Sequence, residues 1–260
     1  MSSPTEMPKS QNESRHAEEG RTLILTGASR GIGHATVKRF SSAGWRVITC
    51  SRHAFPENCP WAAGPEDHIQ VDLADAADTA RASAEMKARL KDGKLHALVN
   101  NAAISPKGPN GGRLGVLDTD VETWRQVFEV NLFSTIWLAH GLRDALAAAH
   151  GAIVNVTSIA GSRVHPFAGA AYATSKAALA ALTREMAADF GRLGVRVNAI
   201  APGEINTAIL SPGTERLVEG IPLGRLGEPA EVAKAIYYLC TDQSSYVTGA
   251  EIHINGGQHV

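Results

Sequence analysis

The sequence predicts an α/β fold in which helices cover both faces of a parallel sheet. Short apolar runs alternate with longer segments of helical apolar spacing along most of the 260 residues. Strands and helices that alternate in this way form βαβ units with right-handed crossovers. The length and the 44% hydrophobic content are enough for one α/β domain with a large core. No repeat period and no second domain is visible in the sequence.

The first half of the chain contains four strand patterns, which are short apolar runs bounded by glycines or polar turns. They lie at 22–27, 46–51, 68–73 and 96–103. Helices are predicted at 32–44, where apolar spacing ends at a glycine, and at about 75–91. Between 52 and 68 three prolines and little helical period predict an irregular crossover or one short turn.

The second half continues the alternation with longer helices. A long helix is predicted across 120–150, followed by a strand at 151–158 and the alanine-rich helix that contains Tyr172. A strand at 195–203, a helix at 228–241 and a strand at 250–256 complete the pattern. The sequence therefore predicts seven strands.

Charge and cysteine content exclude several classes of protein. A formal net charge of −1 argues against a nucleic-acid binder. Residues 1–20 are polar and contain no apolar signal-peptide core, so they predict a disordered or loosely attached tail. No apolar run in the sequence approaches the length of about 18 residues that a membrane helix needs. Three cysteines, an odd number without a CxxC motif, are typical of a reducing compartment. We therefore expect a soluble cytoplasmic protein without membrane partners.

Four residues in and beside the second crossover are of types that can bind a metal ion. Cys50, His53, Cys59 and His68 are ligand types, but their spacing is irregular and the segment between them is rich in Pro and Gly. A loop is the better interpretation, and no metal is predicted.

The segment TGASRGIG, residues 26–33, follows the first strand and opens the first helix. Its glycines, Gly27, Gly31 and Gly33, permit a tight turn and a close approach of backbone amides to an anion. The following helix start offers unpaired N–H groups and the positive end of its dipole to a pyrophosphate. At the first βα junction of such a fold, this loop predicts a dinucleotide site, with Ser29, Arg30 and Ile32 as further contacts.

The residues at the end of the second strand affect which dinucleotide is preferred. Sites of this layout hold the adenosine ribose with an acidic residue there, but this chain has Ser51 and Arg52. Arg30 is a second cation within reach of the same place. Two guanidiniums and no carboxylate favour NADP(H), with NAD(H) still possible. The alternative is that both arginines are only solvated surface.

Together, TGASRGIG, NNAA, Asn131, Ser158, YATSK and APG occur in the order and spacing of a known family. Over residues 21–258 the sequence resembles the short-chain dehydrogenases/reductases, and it is similar to their 3-oxoacyl-carrier-protein reductases. The resemblance implies one Rossmann-type domain over 21–260, with a seven-stranded sheet of order 3-2-1-4-5-6-7. It also implies a homotetramer and an NAD(P)(H)-dependent oxidoreductase acting on a carbonyl or secondary alcohol.

The resemblance also implies site residues. The catalytic set is Asn131, Ser158, Tyr172 and Lys176. Ala103 stands where the family more often has glycine, a mild departure. The cofactor contacts outside the glycine loop are Asp72 and Leu73 at the adenine, Asn101 and Ala102 at a ribose-contacting turn, Tyr172 and Lys176, and Pro202, Gly203, Ile205 and Thr207 around the nicotinamide.

The chemistry of hydride transfer agrees with this set. Reduction of a ketone develops negative charge on its oxygen, so the site needs a hydrogen-bond donor and a proton source. Ser158 supplies a donor and Tyr172 the proton. Lys176, one helical turn later, is expected to lower the pKa of the phenol and hold ribose hydroxyls. Asn131 anchors a water in the family's proton relay. Separately, each of these residues has an ordinary structural explanation, such as a cap, a kink or a surface pair.

Three loops are expected to select the substrate: 104–115, 159–170 and 204–224. The last is irregular and predicts a mobile lid. Arg163 and His165 line the predicted mouth, or lie in a solvated loop. Lys107, Arg113 and Arg163 could form a basic entrance for an acyl-carrier thioester. Sugars, steroids and other secondary alcohols remain alternative substrates.

Two other classes of protein share this fold. A non-catalytic sensor would be expected to lack Tyr172 or Lys176, and an epimerase would be expected to have a larger substrate domain.

Overall fold

The computed structural model of the protein describes residues 20–53, 64–207 and 213–260. The predicted N-terminal tail of residues 1–20 lies outside this range except for Gly20. Most of the second crossover and part of the predicted lid lie outside it as well.

A seven-stranded parallel sheet forms the centre of the molecule, and its order is β3-β2-β1-β4-β5-β6-β7. This order and the fold class confirm the prediction. The five residues of β1 are all buried, because an interior strand of a parallel sheet is covered on both faces. The strands are β1 Thr22–Thr26, β2 Arg46–Ser51, β3 His68–Gln70, β4 Ala97–Asn100, β5 Ala152–Val156, β6 Arg196–Pro202 and β7 Glu251–Ile254.

In the described part of the chain, six α-helices cover the sheet: α1 Gly31–Ser41, α2 Ala76–Ala88, α3 Val121–Phe128, α4 Ser134–Ala149, α5 Ala170–Gly191 and α6 Pro229–Cys240. Successive side chains of β1 point to opposite faces of the sheet. Leu23 and Leu25 pack with Phe40 of α1 and Ile236 of α6. Ile24 packs on the other face, in the cluster that contains residues of α2, α4 and α5. The core therefore has two layers, one on each side of the sheet.

The predicted long helix 120–150 is helical nearly throughout, but it contains a π-helical segment, Glu129–Phe133, between α3 and α4. A π segment adds one residue to a turn and is frequent at functional sites. The segment contains Asn131, which is 1% exposed.

Two predicted strands run three residues past the observed carboxyl ends. β3 ends at Gln70 and β4 at Asn100, whereas the apolar patterns continue to 73 and 103. Val71 and Leu73 are buried without belonging to the strand, which explains why their hydrophobicity extended the predicted range. In the described part of the second crossover the only helical turn is the 3₁₀ turn Pro65–Asp67, as expected from its prolines.

The part of the chain that the structure describes has no helix with the length and hydrophobicity to cross a membrane. The same residues contain no group of three or more His, Cys, Asp or Glu side chains arranged to hold a metal ion. Cys59, one of the ligand types considered above, lies outside the described residues.

Candidate active site

The glycine loop after β1 forms a tight backbone cradle, in which a side chain on Gly27 or Gly33 would collide with neighbouring main-chain atoms. Gly27 and Gly31 have φ angles of +70° and +56°. A Cβ on Gly27 would lie 2.8 Å from the Cα of Ala102, and one on Gly33 would collide with the carbonyl oxygen of Gly27. α1 begins at Gly31 without a side-chain cap from Arg30 and without an acidic residue in its first turn. Its first N–H groups are thus suited to an anion.

Asn101 and Thr26 hold this loop against β4. The amide nitrogen of Asn101 donates to the carbonyl oxygens of Thr26, at 3.0 Å, and of Gly27, at 2.8 Å. The hydroxyl oxygen of Thr26 accepts from the backbone amides of Asn101 and Ala102. The predicted ribose-contacting turn therefore braces the glycine loop through the side chain of Asn101. Thr26 did not enter the predicted site, although it begins the motif.

The carboxyl ends of β2 and β3 meet beside this loop. Arg52 and Asp72 line one surface cavity of about 480 Å³. Arg30 and Ser29 are exposed, and Arg30 is not among the residues that line this cavity. The hydroxyl of Ser51 donates to the carbonyl oxygen of His53 at 2.9 Å. Leu73 is 9% exposed and packs in the core.

Ser158, Tyr172 and Lys176 converge at the end of β5. The hydroxyl of Ser158 accepts from the backbone amide of Ala160 at 3.2 Å, and Ser158 acts to lower the pKa of the Tyr172 phenol. The Lys176 ammonium lies 5.8 Å from the centre of the Tyr172 ring and donates to the carbonyl oxygen of Val156 at 2.6 Å. Lys176 is 2% exposed. The first two turns of α5 thus bring the phenol and the amine to one buried corner.

The electrostatics of this corner differ from the prediction. Burial raises the pKa of Tyr172 above its ordinary value, and the hydrogen bond from Ser158 only partly opposes it. The charge of Glu204 raises the pKa of Tyr172 further. Burial also lowers the pKa of Lys176 to about 7. The expected lowering of the phenol pKa was therefore wrong for the protein's own groups, because desolvation dominates.

Asn131 satisfies its buried amide on two separate segments. Its oxygen accepts from the backbone amide of Ile104 at 2.8 Å, and its nitrogen donates to the carbonyl of Ile104 at 3.0 Å. The nitrogen also donates to the hydroxyl of Ser175, at 3.0 Å, which lies next to Lys176 in the sequence. The π segment thus fixes the start of loop 104–115 against α5. Ser175 was missed by sequence reasoning, since a serine inside an alanine-rich helix has no distinguishing pattern.

The segment after β6 reaches the glycine loop. Pro202 ends the strand, and the amide of Gly203 donates to the carbonyl of Ile254 at 3.0 Å. Ile205 is 4% exposed and pairs with Gly227 in an isolated bridge. A Cβ on Gly31 would lie 3.1 Å from Cγ2 of Thr207, so this segment and the glycine loop are in contact distance.

The predicted mouth is held by contacts between its loops. The Lys107 amine and the Arg113 guanidinium donate to the carbonyl oxygens of Phe167 and Ala168, at 2.5 and 2.9 Å. Arg163 donates to the carbonyl of Gln258 at 2.7 Å. The three cations proposed for a basic entrance therefore each bind a main-chain carbonyl, and loops 104–115 and 159–170 are braced together.

His165 pairs with Glu204, which the sequence did not single out. Nε2 of His165 lies 2.5 Å from Oε1 of Glu204, and both side chains are largely buried. The position of Glu204 in the sequence could have identified it as a candidate. It follows Pro-Gly at the carboxyl end of a strand, where ligands bind in open α/β sheets.

Comparison with known proteins agrees with this geometry. A family model described as enoyl-(acyl carrier protein) reductase matches residues 27–259. Protein FixR of Bradyrhizobium diazoefficiens is 63% identical over 93% of this chain and 88% of its own length. A galactitol 2-dehydrogenase (L-tagatose-forming) of Cereibacter sphaeroides is 36% identical over 93% and 96%. A 3-oxoacyl-[acyl-carrier-protein] reductase of Aquifex aeolicus is 35% identical over 92% and 97%.

Among solved structures, the fold is shared with an oxidoreductase of the short-chain dehydrogenase/reductase family from Brucella ovis, in complex with a partially ordered NAD. The two chains are 63% identical with a TM-score of 0.80, over 91% of this chain and 100% of that one. The match of the family model over most of the chain, the strand order and the relatives all agree. The chain therefore belongs to the short-chain dehydrogenase/reductase family of oxidoreductases.

Proposed function

We propose that this chain is a carbonyl reductase or secondary-alcohol dehydrogenase in which Tyr172 is the general acid and base. The observation that carries the proposal is the convergence of Ser158 and Tyr172 beside the buried amine of Lys176, which lies 5.8 Å from the centre of the Tyr172 ring. These groups lie at the carboxyl ends of the strands, the edge at which open α/β sheets bind ligands. A sensor without catalysis has no need for this arrangement.

The glycine cradle fits a nicotinamide dinucleotide. The absence of side chains at Gly27 and Gly33 lets the loop fold closely against Ala102 and on itself, and the uncapped start of α1 offers its N–H groups to a pyrophosphate. When bound, the dinucleotide supplies or accepts a hydride at its nicotinamide ring. We propose that the segment containing Thr207 closes on the nicotinamide end and that Arg52 and Asp72 receive the adenosine end.

Each side chain of the candidate site has a separate role in the proposed acid–base chemistry. In the reductive direction Ser158 donates a hydrogen bond to the carbonyl oxygen as negative charge develops on it. Tyr172 transfers its phenolic proton to that oxygen, which leaves a phenolate. Protonated Lys176 stabilises the phenolate, because an adjacent positive charge opposes the effect of burial. Asn131 acts as a positioning residue, since it fixes Ile104 and Ser175 around this corner.

Tyr172→Phe tests the proposal. Removing the phenolic proton donor should lower kcat by about 10²- to 10⁴-fold, the usual contribution of general acid–base catalysis. The dissociation constant of the nicotinamide cofactor, measured by fluorescence, should change little. Turnover is measured by nicotinamide absorbance over a panel of ketones and secondary alcohols with each cofactor.

The same substitution at an exposed position, Tyr246→Phe, is the matched control and should retain wild-type kcat. Full activity in Tyr172→Phe would refute the proposed mechanism.

The remaining assignments belong to the same proposal. NADP(H) is favoured by Arg30 and Arg52 and by the absence of a carboxylate at the end of β2, although the Brucella ovis relative was solved with NAD. We also propose a homotetramer. A cytoplasmic location, expected from the cysteines, stays a prediction. The names of the relatives leave an acyl-carrier thioester and a sugar alcohol as alternative substrates.

A further inference from the structure

A buried carboxylate that the acid–base mechanism does not use lies next to Tyr172. Glu204 is 7% exposed and follows the Pro-Gly pair that ends β6. Its Oε1 lies 2.5 Å from Nε2 of His165, in the loop between Ser158 and Tyr172. Its charge acts on the phenol of Tyr172. Because β6 lies beside β5 in the sheet and His165 lies in the loop that joins Ser158 to Tyr172, Glu204 lies at the same carboxyl edge of the sheet as the candidate acid–base residues.

The hydrogen bonds of His165 define the charge of this pair. Nδ1 accepts from the backbone amides of Phe167 and Ala168, each at 3.2 Å, so the ring proton lies on Nε2. His165 is thus a neutral donor to Glu204, and the pair keeps the full negative charge of the carboxylate. Lys107, whose pKa is raised by Glu204 and lowered more strongly by burial, donates to the carbonyl of Phe167.

The carboxylate has unused capacity to accept hydrogen bonds. An ionised carboxyl group has about four acceptor sites on its two oxygens. In the described part of the chain, Oε1 accepts from His165 and Oε2 accepts no side-chain or backbone donor. A buried charge with unused acceptor sites is stabilised by a ligand that donates hydrogen bonds, and it repels an anionic one.

We propose that Glu204, oriented by His165, accepts a hydrogen bond from a substrate hydroxyl on the carbon next to the reacting one. The inference rests on the proposed function and narrows its substrate to hydroxy ketones and vicinal diols, the class that includes sugar alcohols. A 3-oxoacyl thioester has carbonyl oxygens but no N–H or O–H donor beside its ketone. Glu204 therefore disfavours the acyl-carrier alternative.

The test compares 3-hydroxy-2-butanone with 2-butanone, which differ by one hydroxyl group, in the wild type and in Glu204→Leu. The measured quantity is the ratio of their kcat/KM values, and comparison between proteins cancels their intrinsic reactivities. A hydrogen bond to a charged group is worth about 1.5–3 kcal/mol, so the ratio should fall by roughly 10- to 100-fold in Glu204→Leu. In Glu204→Leu, kcat/KM should fall for the hydroxy ketone and should be retained or increased for 2-butanone.

Glu204→Gln keeps the size of the side chain and one acceptor oxygen. It provides a second test of the inference if the leucine variant misfolds. Its ratio should fall to an intermediate value. Glu185→Gln, the same change at an exposed position of α5, should leave the ratio at the wild-type value.

An unchanged ratio in both Glu204 variants, with turnover retained, would overturn the inference and leave the proposed function intact. Wild-type protein that turns over no compound with either cofactor would overturn both.

Discussion

Arg52 stands at the end of β2, where its guanidinium is exposed and its carbonyl oxygen accepts from the side chain of Gln70 at 2.9 Å. It shares a cavity with Asp72, which we assign to the adenosine end. A fixed backbone and an exposed guanidinium suit the binding of a 2′-phosphate, which arginine recognises through two parallel hydrogen bonds. The cofactor preference therefore depends on one side chain whose removal need not disturb the fold.

We expect Arg52→Asp to reverse the proposed preference for NADP(H). The new carboxylate repels a 2′-phosphate and accepts from ribose hydroxyls, so the ratio of kcat/KM for NADP(H) over NAD(H) should fall by about 10-fold or more. Steady-state kinetics with both cofactors and one fixed substrate measure the ratio. Arg192→Asp, at the far end of α5 from Tyr172, is the control. An unchanged ratio would refute the assignment of Arg52.

Helices α3 and α4, with the segment before them, present apolar side chains to solvent. Val116, Leu117, Val121, Phe133 and Trp137 are between 37% and 98% exposed. Exposed apolar side chains concentrated on neighbouring elements mark protein–protein contact sites. This surface is our candidate for contact between copies of the chain in the proposed homotetramer.

Trp137→Lys should dissociate the assembly, because a lysine amine loses its hydration when it is buried in an apolar interface. Light scattering coupled to size-exclusion chromatography should give a tetramer mass for the wild type and a dimer or monomer mass for the variant. Leu193→Lys, at an exposed leucine after α5, should retain the wild-type mass. A monomeric wild type would refute the proposed assembly.

The free energy of unfolding of the whole molecule should depend on pH because Lys176 is buried. Its pKa is about 7 in the folded chain and about 10.4 in an unfolded one. Between these values the unfolded state binds more protons, so the free energy of unfolding rises with pH. Above pH 9 the buried thiols of Cys50 and Cys240, whose pKa values are raised to about 12, act in the opposite direction.

From pH 7 to pH 9 we expect Lys176 to add about 2 kcal/mol to the free energy of unfolding, which Lys176→Met should not gain. Urea titrations at several pH values in this window measure the difference between the two proteins. Lys87→Met, at an exposed position of α2, should follow the wild type. Parallel curves for the wild type and Lys176→Met would contradict the assigned shift.

Local patterns were sufficient for the strands, the helices and the glycine loop. Period-two and helical spacing, glycine turns and prolines act over a few residues, so they are readable without the tertiary structure. The carboxyl end of β3 was misjudged, because burial of Val71 and Leu73 does not require strand pairing. The grouping of Ser158, Tyr172 and Lys176 was implied by the family resemblance, and the helical spacing of Tyr172 and Lys176 agrees with it.

The sequence alone determined the α/β class, the parallel sheet, the dinucleotide loop and the candidate acid–base residues, since each depends on spacing within one or two neighbouring elements. Only the tertiary structure joined Asn131 to Ile104 and His165 to Glu204, contacts between residues 27 and 39 positions apart. It also decided the direction of the Tyr172 pKa, because desolvation depends on everything packed around the phenol. Contacts and burial of this kind arise from how distant segments pack, and no local pattern encodes them.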